Sequence, residues 1–149
     1  MGAQGGGEGK TVHILVEEEA EIRTDWLRIG KQKGLAVMTY PNAEWFLDDL
    51  AHGCFHGDER FYLDQDMDGV RGVGLRLSRI IKERWSDAYT CLVTAYPKAL
   101  FRRELREGAV DDVFGKYPSP FDNPAFTEIE RRYEQEVWVP ILNTIGVAN

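Results

Sequence analysis

The chain has 149 residues, a formal net charge of −7, and 43% hydrophobic and 11% aromatic residues. That length is one domain's worth of chain, and that apolar content fills a core, which excludes a disordered acidic tail. The acidic balance leaves no sustained basic face, so a general phosphate-backbone binder is excluded and no direct nucleic-acid contact is expected. No apolar stretch approaches the roughly 20 residues that cross a bilayer. The N-terminus lacks the charged and apolar regions of a signal peptide, so the expectation is a cytoplasmic protein with no membrane contact.

Residues 1–10 are rich in glycine and read as a flexible leader; residues 11–149 read as a single domain. Thr11 to Val16 is a short β-rich run stopped by Glu17, Glu18 and Glu19. Ile22, Trp26 and Ile29 then fall at helical spacing, and Gly34 closes that helix. Leu35 to Tyr40 is a second strand, ended by Pro41, and Asn42 is positioned to cap a helix carrying Phe46, Leu47 and Leu50. Arg60 to Leu63 is a third strand running into Asp64. Val73, Leu77, Ile80 and Ile81 mark a helix to about Arg84.

Tyr89 to Thr94 is the fourth strand, and a helix from about Lys98 ends at Gly108. Val110 to Gly115 is a short fifth strand. A final helix from about Pro124 carries Phe126, Ile129, Tyr133, Val137 and Ile141. Regular strand–helix alternation predicts an α/β fold, a doubly wound five-stranded parallel sheet with five helices. Its reactive groups then collect at the carboxyl edge of the strands. Of the two cysteines, Cys91 lies in an apolar run and reads as a buried packing residue. His13, His52 and His56 have no metal-site spacing.

That edge can be populated from the sequence. Strand one ends in Glu17 and Glu18. Strand three ends in Asp64, with Asp66 and Asp68 beyond. Strand four ends in Thr94 and Ala95, and strand five in Gly115 and Lys116. Carboxylates gathered this way repel one another, and a hard divalent cation with oxygen ligands relieves the repulsion; Mg²⁺ suits such a site. A hydroxyl and an ammonium nearby would hydrogen-bond and neutralise a phosphoryl group on Asp64.

Acid pair, strand-three Asp64, strand-four Thr94 and strand-five Lys116 occur in an order that resembles the receiver domains of two-component response regulators, with their flavodoxin-like sheet. LDQDMDGVRGVGL, with Gly72 eight positions past Asp64, is similar to that family's stretch after the phosphoacceptor. GAVDDVFGKYP resembles the approach to its lysine, and the twenty-two positions from Thr94 to Lys116 match its usual spacing. The resemblance covers roughly residues 11 to 135. It implies that Asp64 accepts phosphate from a histidine kinase or phosphotransfer protein, and that a downstream protein partner reads the result. Glu17 and Glu18 would hold Mg²⁺ with Asp64 and the Asp66 backbone carbonyl; Thr94 and Lys116 would contact the phosphoryl group. Such a protein is a signalling phosphoacceptor, not a dedicated enzyme.

The chain departs from the family at four places. Glu18 stands where Asp is common, Asp68 where Pro is usual, Asp66 adds a carboxylate beside the acceptor, and Val113 replaces an aromatic switch residue, with Phe114 adjacent. These favour a second reading, a pseudo-receiver that binds partners without phosphotransfer. A third reading is a haloacid-dehalogenase-like phosphatase, which also places Asp-x-Asp after a strand but lacks acids on strand one. Asp64, Asp66, Asp68 and Gly69 also read as the opening of a calcium-hand loop, yet its twelfth position is Leu75 instead of a bidentate Glu. The segment after about residue 135, with Trp138, Ile141 and Leu142, reads as an extension of the last helix and a surface for a homodimer. With no output segment recognised, a stand-alone receiver or a piece of a longer protein is expected.

Overall fold

The computed structural model describes residues 11–115. The strands are β1 (Val12–Val16), β2 (Ala36–Tyr40), β3 (Arg60–Asp64), β4 (Tyr89–Thr94) and β5 (Asp112–Gly115). The α-helices are α1 (Ala20–Lys33), α2 (Ala43–Ala51), α3 (Val73–Arg84) and α4 (Arg102–Glu107). All neighbouring strands run parallel, in the order β2-β1-β3-β4-β5. The expected doubly wound sheet is therefore present. The fifth helix and the extension beyond it, on which the homodimer expectation rests, lie outside the described residues.

Period-two alternation along the strands builds a core on each face of the sheet. Ile14, Val16, Phe61, Leu63 and Leu92 face Phe46 and Leu50 of α2 and Leu77 and Ile81 of α3. Leu15, Tyr62, Cys91 and Val93 face Ile22 and Trp26 of α1 on the other side. Because both faces are covered, the central strands read as continuous apolar runs, and this made them visible in the sequence.

The local punctuation also follows the residue chemistry. The Asn42 side chain accepts a hydrogen bond from Trp45 N at 2.8 Å and so starts α2. Gly34 closes α1 at φ 71°, a left-handed conformation that glycine adopts without a Cβ clash. The helix expected from Lys98 begins as a 3₁₀ turn, Lys98–Phe101, before α4. A tight first turn after Pro97 is a common way to enter a helix. β5 starts two residues later than expected. The Asp111 side chain is taken by Thr90 N at 2.9 Å and by Lys82 Nζ at 2.8 Å, so regular pairing begins at Asp112.

Candidate functional site at the carboxyl edge

In the order β2-β1-β3, the chain leaves β1 first to one side and later to the other. This reversal opens a crevice at the carboxyl ends of β1 and β3, where open α/β sheets place their ligands. Val16 is in register with Leu63, so Glu17 and Asp64 follow side by side on adjacent strands, whose spacing is about 4.8 Å. Both are buried, Glu17 at 0% and Asp64 at 1% exposure. Two carboxylates held together away from water carry a desolvation cost that donors or a cation must offset.

The β1–α1 loop is fixed by its own backbone contacts. Glu17 Oε2 accepts from Glu19 N at 3.0 Å. Arg23, in the first turns of α1, donates through one guanidinium nitrogen to the carbonyls of Glu17 at 2.7 Å and Glu18 at 2.8 Å. Arg23 carries little signal in the sequence. Its signal was a lone arginine in the first turns of α1, six residues beyond the first acid.

Beyond Asp64, the loop is built in a way the acidic spacing alone did not announce. Met67 and Val70 exchange backbone hydrogen bonds of 3.0 and 2.8 Å, closing a two-residue hairpin around Asp68 and Gly69. Both turn residues have positive φ, 56° and 74°, as a type I′ turn requires. Asp-Gly is a strong signal for that turn, one that the receiver-like spacing of the acids does not itself announce. Asp68 is the only non-glycine residue with positive φ among those described, a conformation that Asp tolerates better than most residues.

Glu18 reaches across the crevice, its Oε1 accepting from Asp68 N at 2.7 Å. Asp66 Oδ1 accepts from Gly72 N at 3.0 Å, just before α3. Of the four residues expected around a metal, Glu17 and Asp64 are brought together, whereas the Glu18 and Asp66 side chains are bonded to loop amides. Among the described residues no three His, Cys, Asp or Glu side chains gather as a cation cage. The resemblance gives Asp66 its role through the backbone carbonyl, and the side-chain contact to Gly72 N does not use that atom.

On β4, Thr94 stands one residue past Val93, the register partner of Asp64. It is buried, and its Oγ1 accepts from Tyr96 N at 3.1 Å, so its own O–H remains a donor to a ligand. Lys116 lies outside the described residues; its predecessor Gly115 pairs with Thr94. Val113 is buried in the core on the α2–α3 side, while Phe114 packs against the α1 side. Alternation along β5 therefore sends the neighbouring aromatic to the opposite face, and Phe114 does not replace an aromatic at position 113.

Gly74, in the first turn of α3, was also missed. A Cβ there would sit 2.7 Å from the Asp64 carbonyl oxygen and 2.9 Å from Gln65 Cα. Its absence lets α3 press directly onto the end of β3. Gln65 completes the joint, its carbonyl accepting from Gly74 N at 3.1 Å and its Oε1 from Leu75 N at 2.9 Å.

No protein-family profile matches the chain. No curated protein matches it either. Solved structures do. The BeF3-activated DrrB receiver domain superposes with a TM-score of 0.60 at 19% identity, covering 84% of this chain and 98% of that one. The response regulator TrrA from Thermotoga maritima, in complex with Mg²⁺-BeF, gives 0.58 at 23% identity, covering 84% and 97%. A receiver domain from Clostridium thermocellum gives 0.61 at 13% identity, covering 84% and 98%. At these identities the likeness is one of fold, and the fold is that of a response-regulator receiver domain.

Proposed function

We propose that this chain is a phosphorylatable receiver in which Asp64 accepts a phosphoryl group from a histidine kinase or phosphotransfer protein. The observation that carries this reading is the pairing of buried Glu17 and Asp64 at the β1/β3 crevice, with Thr94 on the next strand. The Asp64 carboxylate attacks phosphorus, and the donor's leaving group departs in line. Thr94 donates its hydroxyl hydrogen to a phosphoryl oxygen, and the ammonium of Lys116 neutralises another.

A Mg²⁺ ion fits Glu17 and Asp64, because Mg²⁺ binds through one or two carboxylates and completes its shell with water and phosphate oxygens. When bound, it would neutralise the developing charge on those oxygens. The chain would act as a signalling phosphoacceptor, with a downstream protein reading the change. Among the described residues no helix is long and apolar enough to cross a membrane.

The pseudo-receiver is the second reading. It is favoured by the engagement of Glu18 with Asp68 N and by Val113 in place of an aromatic. Incubation with Mg²⁺ and acetyl phosphate, followed by intact-mass measurement of the wild type and Asp64→Asn, separates the two. A phosphoryl adduct on the wild type alone supports phosphotransfer. No adduct on either protein supports the pseudo-receiver, and turnover of a phosphoester would support a phosphatase.

A further inference from the structure

Glu18 and the hairpin beyond Asp64 are joined across the crevice by a contact between residues 50 positions apart. The hairpin has only two backbone hydrogen bonds of its own, between Met67 and Val70. One end is anchored by buried Met67, whereas Val70 at the other end is 46% exposed. A two-stranded turn this short is marginal in water without outside support. Two side chains supply that support: Asp66 Oδ1 holds Gly72 N behind the hairpin, and Glu18 Oε1 holds Asp68 N at its tip. The Glu18 contact is a charge-assisted hydrogen bond, the stronger kind. Arg23 fixes its other end by gripping the carbonyls of Glu17 and Glu18.

The same carboxylate occupies the second acid position beside the crevice. With Glu18 turned to the hairpin, no three acids are gathered among the described residues. A cation held by Glu17 and Asp64 would draw on the Glu18 carboxylate, one residue along from Glu17, against the pull of the Asp68 amide. We propose that Glu18 is the latch of the β3–α3 hairpin, and that the turn amide and a divalent cation compete for it. The hairpin is then closed in the cation-free protein and released when the site is loaded. Its tip and the exposed Val70 thereby become the part of the surface that reports occupancy. The latch stands on its own geometry, and only the competition rests on the cation site of the proposed function. The extra methylene of Glu18 relative to Asp acquires a purpose here, since it gives the carboxylate the reach to a loop on the neighbouring strand.

The experiment is amide hydrogen exchange on the ¹⁵N-labelled full chain, with and without saturating MgCl₂, for the wild type, Glu18→Ala and Glu18→Gln. Without Mg²⁺, Glu18→Ala should speed exchange at Asp68 about two- to tenfold, the loss expected for one hydrogen bond that solvent reaches. Glu18→Gln keeps an oxygen acceptor and should show a smaller increase. Mg²⁺ should raise the wild-type Asp68 rate to that of Glu18→Ala and leave the Glu18→Ala rate unchanged. An Asp68 rate unaffected by Glu18→Ala, in a protein whose other amides show it folded, overturns the latch. Mg²⁺-induced shifts at Glu17 and Asp64 with an unchanged Asp68 rate overturn the competition. Absence of any Mg²⁺ shift at Glu17 and Asp64 overturns the competition together with the cation site, whereas the latch is judged by the metal-free comparison.

Discussion

Replacing Gly74 by Ala tests how closely α3 must sit against the strand that carries Asp64. The added Cβ would lie 2.7 Å from the Asp64 carbonyl oxygen, 2.9 Å from Gln65 Cα and 3.0 Å from the Asp64 carbonyl carbon. All three are backbone atoms, so no side-chain rotation relieves the contact, and either α3 or the end of β3 must move. Gly to Ala inside a helix ordinarily gains up to about 1 kcal/mol. Overpacking costs typically about 1–3 kcal/mol, and contact with rigid backbone places this site toward the upper end. The net expectation is a loss of about 1–2 kcal/mol, which for a chain of 149 residues lowers the melting temperature by roughly 3–8 °C. Thermal unfolding followed by circular dichroism gives the stability, and the amide shift of Asp64 reports whether the strand end moved. Gly108→Ala is the control: φ there is 80° with open space around it, so it loses stability through backbone strain without disturbing Asp64. A Gly74→Ala protein as stable as the wild type, with an unshifted Asp64, would refute the close-packing argument.

Three further outcomes are expected. Ser78 is buried, with its Oγ 2.7 Å from Thr90 Oγ1 and 2.5 Å from the Ala109 carbonyl. Ser78→Ala should therefore cost about 1–3 kcal/mol in urea denaturation by stranding buried polar partners. Cys54 is exposed, whereas Cys91 is fully buried and burial pushes its thiol well up, so a disulfide-exchange reagent should titrate one thiol in the native protein and two in denaturant. Burial, with Arg60 nearby, holds the His13 imidazole below its ordinary value of 6.5. The unfolded chain thus binds a proton first as the pH falls, and stability is lost from about pH 6.5 downward toward the folded value. The urea midpoint of the wild type should fall relative to His13→Gln over that range, and parallel midpoints would contradict it.

The strands were legible because a sheet covered on both faces demands uninterrupted apolar runs, and TVHILV, RFYL and YTCLVT supply them. Asp64, Glu17 and Thr94 were legible for a related reason: strand–helix alternation fixes which residues emerge at the carboxyl edge. The partners of Glu18 were not. Nothing in the acid pair itself indicates an amide fifty positions away, and the Asp-Gly turn that presents this amide also satisfies the opening of a calcium loop. Gly74 was hidden by its neighbour Gly72, whose position relative to Asp64 drew attention, whereas close approach of two backbones has no periodic signature. Phe114 shows the opposite lesson. Its nearness in sequence to position 113 suggested a substitute aromatic, but period-two alternation in β5 puts it on the other face.

The most direct test of the central claim is to locate the modified residue. The protein is treated with acetyl phosphate and Mg²⁺ and then reduced with borohydride, which converts an acyl phosphate on an aspartate to the corresponding alcohol, and the peptides are sequenced by mass spectrometry. Reduction is expected at position 64 alone, abolished in Asp64→Asn. Reduction at Asp66 or Asp68, or at no residue, would contradict it.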